Sequence, residues 1–169
     1  MTELRPKKPM ESAVIDNIYK VFPNDLNTND TVFGGLVMSI LDRTALVVAE
    51  RHSGHTCVTA SVDALHFLGP ARKGDNLIVN ASINRSWHTS MEIGLRVAAE
   101  NYQNGEQTHI ISAYFTLVAV NEQGRPTPVP AVTPETPIEK RRYHEADDRR
   151  NNRKQESATR LEKRQQYNL

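Results

Sequence analysis

At 169 residues, with 21 Lys/Arg against 20 Asp/Glu, the chain suits one domain plus an extension, and a net charge of +1 excludes a global field toward nucleic acid or anionic membrane. The single cysteine, Cys57, excludes an internal disulfide framework and suits a reducing compartment. No apolar run is long enough to span a bilayer, and residues 1–9 are charged and contain prolines without the apolar core of a secretory signal, so the expectation is a soluble cytoplasmic protein.

Residues 1–12 read as a flexible N-terminus. Val14 to Phe22 mixes β-branched and aromatic residues and predicts a strand. The run from Pro23 to Asp30 is dense in turn formers and predicts a loop. Within it Asn27 suits either an Asx turn or a site. From Leu36 to Ala49 the chain is apolar on nearly every face, which predicts a helix from Gly35 to about Arg51, buried on all sides. Arg51 to His55 reads as a loop, with His52 and His55 solvated, since two histidines without further ligands make a poor metal site.

Four strands are predicted next. The first, Val58 to Phe67, ends in the turn formers Gly69 to Asp75, and the next two are Leu77 to Asn84 and Met91 to Glu100. Asn104-Gly105 signals a hairpin turn. Thr108 to Val120 carries few charges and predicts a central strand covered on both faces. The fold class is therefore α+β: a long five-stranded antiparallel sheet wrapped around one helix, with apolar surface left for a homo-oligomer. Residues 13–130 form this domain.

Residues 131–169 read as a Pro-rich linker and a charged tail, helical or partly disordered. Residues 139–169 carry ten Lys/Arg and six Asp/Glu, a net +4, and the remainder carries −3. The interspersed acids argue against a nucleic-acid arm, so the better functional reading is a basic segment near an anionic cofactor.

Chemistry concentrates in the central helix. Asp42 lies about two turns from its start, too deep to be an N-cap. A carboxylate there must be paired, for example with an arginine, be hydrogen-bonded, or lie beside a water-filled site. Gly34 and Gly35 make either a tight turn or a mouth that lets another group approach, where the first helical N–H groups are unpaired. Together these pieces offer N–H donors at one point and an acid or base further in.

Several motifs occur in order: Pro23-Asn24-Asp25-Leu26-Asn27, Phe33-Gly34-Gly35, Asp42, Arg51-His52, Val58-Thr59-Ala60-Ser61-Val62-Asp63, Phe67-Leu68-Gly69-Pro70, Gly74-Asp75, Thr89-Ser90-Met91-Glu92, and Phe115 to Val120 followed by Gly124-Arg125-Pro126. Over about residues 14–130 this pattern resembles the hotdog-fold acyl-CoA thioesterases, of the YciA-like and brain acyl-CoA hydrolase type. The resemblance implies hydrolysis of acyl-CoA to free fatty acid and CoA, without a metal or separate cofactor. It implies Asp42 as general base or nucleophile, Asn27 acting with it from the partner subunit, and the N–H groups of Gly34 and Gly35 as oxyanion hole. It implies substrate contacts at Thr59, Ser61, Phe67, His88, Thr89 and Ser90, with CoA along a subunit interface. It further implies a dimer, often assembled as a hexamer (a trimer of dimers), with no nucleic-acid or membrane partner. The chain departs from the pattern at Asp30, where the family commonly has Gly, and at Trp87-His88, where it often has Gly and a small or basic residue.

Two other functions fit such a fold. A hydratase or dehydratase usually needs a histidine in the loop before the helix, and residues 23–35 contain none. A non-catalytic acyl-CoA sensor needs no buried carboxylate, which Asp42 would supply.

Overall fold

The computed structural model describes residues 4–166. The chain divides into two compact units, Met1–Thr133 and Pro134–Leu169.

In the first unit, β1 (Val14–Lys20) leads through the Pro23 loop into α1 (Gly34–Ser53), followed by β2 (Thr56–Val62), the two-residue β3 (His66–Phe67), β4 (Asn76–Ser86), β5 (Ser90–Glu100) and β6 (Gln107–Val120). All strand pairs are antiparallel, in the order β1-β4-β5-β6-β2, with β3 also pairing with β6. The strand expected over 58–67 thus splits: Asp63 hands its N–H to the Tyr114 carbonyl (3.0 Å), and the chain rejoins β6 only at His66.

The sheet curls over one face of α1. Val37, Leu41, Ala45, Val48 and Ala49 are buried there against Leu77, Ile83, Ile93, Val97, Phe115 and Leu117, a 3.6-residue pattern meeting a period-2 pattern. The expectation of a helix buried on all sides is corrected. Met38 and Val47 on its other face are 46% and 40% exposed, because one sheet covers one side of a helix. β6 is an interior strand as expected, but its burial alternates. Ala113, Phe115, Leu117 and Ala119 are buried, while Tyr114, Thr116 and Val118 are only half-buried.

Left-handed backbone appears where turns require it. Gly54 (φ 73°) ends α1, with its N–H on the Glu50 carbonyl at 2.8 Å. Gly105 (φ 72°) sits in the expected hairpin turn. The stretch read as a flexible N-terminus is tied down from Lys7, whose N–H donates to Ala131 and whose carbonyl accepts from Thr133, each at 2.9 Å.

The second unit is the helix α2 (Pro137–Gln166) with its lead-in. Thr136 caps it: its hydroxyl accepts from the Glu139 N–H (3.2 Å), and the Glu139 carboxylate accepts the Thr136 N–H in return (2.8 Å). Pro137 follows at the first helical position, where no N–H is needed. Pairs such as Arg141–Glu145 (3.1 Å) run along its surface. None of the described helices is long and apolar enough to cross a membrane.

Candidate active site

The loop before α1 is fastened by its own side chains. Asp25 takes the Tyr19 hydroxyl (3.0 Å) and the Phe22 N–H (2.7 Å) on its carboxylate, and its carbonyl takes the Phe33 N–H (2.8 Å). Desolvation, then the bond to Asp25, pushes the Tyr19 phenol up from its ordinary value. Asn27 makes an Asx turn: Oδ1 accepts the N–H groups of Asn29 (2.8 Å) and Thr31 (3.3 Å), and Nδ2 donates to Thr31 Oγ1 (2.9 Å). An Asn amide carries two donors, so these bonds leave one N–H uncommitted. Asp30 stands at φ 54°. The backbone there is left-handed, a region that Asp tolerates, at the place where the resemblance led to the expectation of Gly.

At the helix mouth, the first intrahelical bond is the one Leu36 donates to the Phe33 carbonyl (3.0 Å). The N–H groups of Gly34 and Gly35 precede it, and Phe33 supplies no side-chain cap. Two phenyl rings crowd these glycines. A Cβ on Gly35 would lie 2.5 Å from the Phe33 ring, and one on Gly34 would lie 3.2 Å from the Phe67 ring. Phe67, from β3, borders a cleft of about 460 Å³ that also touches Asn27, Gly34, Val37, Pro70 and Ile110. Asn27, Gly34 and Phe67, three residues expected at a site, therefore meet around one largely apolar cleft.

A second group forms further along α1. Thr59 Oγ donates to Asp42 Oδ1 at 2.6 Å. Thr59 pairs with Leu117 and Ser61 with Thr116, so β2 bulges at Ala60. Such a bulge re-aims side chains and is frequent beside functional sites. Asp42 is half-buried, and its hydrogen-bond partner is a hydroxyl rather than an arginine. Thr59 thus meets the carboxylate first, and Ser61 is half-buried beyond the bulge.

His88, Thr89 and Ser90 form the turn between β4 and β5, closed by the Trp87 N–H on the Ser90 carbonyl (2.8 Å). Met91 and Thr59 both pair with Leu117, so this turn lies level with Thr59, two strands away, or about 10 Å. His88 is exposed, and Thr89 and Ser90 are half-buried.

Two features escaped the sequence reading. Leu68 and Pro70 stood in a motif of the resemblance and Ala71 among turn formers, and none of the three was marked as a cleft wall. His52 is not a solvated loop residue. It lies in the last turn of α1, fully buried, and its Nε2 bonds the Pro130 carbonyl at 2.9 Å. Among the described residues no cluster of three or more His, Cys, Asp or Glu is placed to hold a metal ion.

The Thioesterase superfamily matches residues 29–105. The chain is 37% identical over 144 residues to YkhA of Bacillus subtilis, an uncharacterized acyl-CoA thioester hydrolase, covering 85% of this chain and 83% of that one. Its fold is similar to that of an apo-hexameric acyl-CoA thioesterase at 37% identity and TM-score 0.88, covering 92% and 99% of the two chains. It is similar too to the acyl-CoA hydrolase of Staphylococcus aureus, solved with butyryl-CoA, CoA and CoA disulfide, at 34% identity and TM-score 0.83, covering 92% and 96%. That hydrolase has also been solved as variants with an Asn, an Asp or a Thr changed to Ala, the Asp 15 positions after the Asn and the Thr 17 after the Asp. A single sheet curled over a glycine-led helix, and relatives at 34% and 37% identity matched over most of their length, give one result: the chain belongs to the hotdog-fold acyl-CoA thioesterases.

Proposed function

We propose that this protein hydrolyses acyl-CoA at a site shared by two copies of the chain, with Asp42 and Thr59 from one copy and Asn27, Gly34 and Gly35 from the other. Thioester hydrolysis is the activity of the family, and the proposal concerns which groups perform it here. The observation that carries it is the Thr59–Asp42 bond: a carboxylate set in an apolar helix, oriented through one oxygen and free at the other to take a proton from water.

The shared site follows from reach. Asp42 is seven residues beyond Gly35, so about 10 Å along the helix axis. A base, its water and the carbonyl carbon under attack span roughly two hydrogen-bond lengths, about 6 Å. The Gly34 and Gly35 N–H groups also point out of the mouth, away from Asp42. A two-fold partner closes this gap and builds two identical sites. The exposed apolar residues Met38 and Val47 on α1, and Val58 and Val62 on the edge strand β2, suit such a partner. The hexameric relative and the spacing of the Staphylococcus aureus variants, which Asn27, Asp42 and Thr59 reproduce, support the same reading.

In this scheme water adds to the thioester carbonyl carbon and Asp42 receives its proton. The oxyanion is held by the glycine N–H donors in a low-dielectric mouth under Phe33 and Phe67. The intermediate collapses with cleavage of the C–S bond, the electron pair leaves on sulfur, and the proton passes from Asp42 to the thiolate. The acyl chain occupies the Phe67 cleft, and CoA lies along the turn of His88, Thr89 and Ser90. No cofactor is needed beyond the coenzyme carried by the substrate.

Free thiol released from a panel of acyl-CoAs tests the assignment. Asp42→Asn is expected to fold normally and lose about 10²–10⁴-fold in kcat, the usual contribution of a general base. Wild-type turnover by a folded Asp42→Asn protein would overturn it.

A further inference from the structure

Among the described residues, His52 is the one fully buried histidine, and the proposed reaction leaves it unused. It sits 0% exposed at the far end of the helix that begins at the glycine mouth. Its Nε2–H donates to Pro130 at 2.9 Å. Pro130 belongs to the segment 126–133, which crosses the end of the sheet and is held residue by residue: Thr127 N–H on the Ala119 carbonyl (2.9 Å), Val129 N–H on the His88 carbonyl (3.0 Å), and Ala131 and Thr133 on Lys7. Lys7 in turn sends its ammonium to the His52 carbonyl (2.7 Å), capping the helix end. The neighbouring carbonyl of the same turn, Thr89, accepts from Ala119 (3.0 Å).

The backbone of the turn at His88–Ser90 is therefore fixed from two sides, by β6 and by the 126–133 segment. The second support combines the backbone bonds just named with one buried side-chain bond, that of His52 to Pro130. Pro130 cannot donate, so within this segment its carbonyl is its only backbone hydrogen-bonding group. The imidazole that meets it comes from α1, the element that carries Asp42. A contiguous path of hydrogen bonds and packed backbone thus joins the helix end to the turn, through Pro130, Val129 and the His88 carbonyl.

We propose that His52 is a positioning residue for the coenzyme end of the substrate, holding Pro130 so that Val129 locks the His88 turn in its binding conformation. This rests on the reading that the turn meets CoA, and it adds the residue that sets the turn's geometry without touching substrate. It separates binding from chemistry: His52 lies beyond the catalytic end of α1, so its loss acts on KM and not on kcat.

The test compares His52→Leu, which fills the space without a donor, with His52→Gln, whose amide nitrogen extends to a place similar to Nε2. Thiol-release kinetics, inhibition by free CoA and hydrogen exchange at the Val129 N–H are measured on the full-length protein, with Thr89→Ala and Ser90→Ala alongside. His52→Leu is expected to raise KM and the CoA inhibition constant about three- to tenfold, the equilibrium effect of one lost hydrogen bond, with kcat within about twofold. Val129 exchange is expected to accelerate, and His52→Gln to restore both readouts. If Thr89→Ala and Ser90→Ala weaken CoA while folded His52→Leu leaves KM and Val129 exchange unchanged, the role of His52 is wrong and the CoA reading stands. If the turn variants leave CoA binding unchanged, the CoA reading falls and the proposal with it. A loss of kcat equal to the rise in KM, not restored by Gln, would mark His52 as merely structural and overturn the proposal.

Discussion

Asp42 and Thr59 show what a single hydrogen bond contributes to the account. The Thr59 hydroxyl donates to one carboxylate oxygen at 2.6 Å, and in the proposed scheme the other oxygen meets water. Thr59→Val keeps the shape and β-propensity of the side chain and removes only the donor. Bonds to charged groups are worth about 1.5–3 kcal/mol, so kcat is expected to fall about ten- to a hundredfold, with Thr59→Ser retaining most activity. Unchanged kcat in Thr59→Val would remove Thr59 from the site. His52 predicts a pH effect on stability. Burial pushes its imidazole below the ordinary range, only partly opposed by the Pro130 bond, with Lys7 adding to the depression and Glu11 opposing it. The folded state therefore favours the neutral ring. Above the unfolded value of about 6.5 both states are neutral and the stability is fully present. As pH falls below that value the unfolded chain takes the proton first and stability is lost, down to the depressed folded value. The urea midpoint of wild type should drop more between pH 7.5 and 5 than that of His52→Gln. Equal drops would show that His52 does not carry the effect. The sequence put both histidines in a solvated loop because α1 runs two residues further than expected, to Ser53. That shift carried His52 into the core and left His55 exposed.

At the scale of elements, alternation and turn residues made most of the sheet legible. β4, β5 and β6 were each expected within a residue or two of where they stand, because Leu77 to Ile83 and Met91 to Ala99 alternate cleanly. What the pattern did not show was context. Val58 to Phe67 reads as one strand because its alternation runs on, yet the Ala60 bulge and the Asp63 bond to Tyr114 break it. α1 reads as buried all round because Met38 and Val47 are apolar, whatever covers them. The apolar helix itself marked Asp42 and the glycines, and the resemblance gave them and Asn27 their roles, but the cleft around Phe67 comes from residues of four separate segments and had no local signature. The loop before α1 offers a backbone test. Asp30 is left-handed at φ 54°, a conformation costing a β-branched residue about 1–2 kcal/mol. Asp30→Val is expected to lose about that much in urea unfolding, while Asp30→Gly is tolerated. Equal stability of the two variants would mean the loop does not need this conformation.

For the whole molecule, the proposed scheme has one protomer present half of what hydrolysis needs at each point. The glycine mouth and Asn27 lie at one end of α1, and Asp42 with Thr59 lies about 10 Å further along. The exposed apolar residues Met38, Val47, Val58 and Val62 are where a second copy would bring the halves together. The second unit, α2, is capped by Thr136 and Glu139. The shared site is most directly tested by mixing two inactive proteins. Asn27→Ala and Asp42→Ala are each expected to be nearly inactive alone. Differently tagged, gently dissociated and reassembled one to one, about half of the two-fold pairs are mixed, and each mixed pair holds one intact and one doubly altered site. With subunit exchange shown by co-purification of the two tags, thiol release is predicted to recover to roughly a quarter of wild type by this two-fold counting. Demonstrated exchange with activity still at the level of the single variants would place Asn27 and Asp42 in one chain's site and contradict the account.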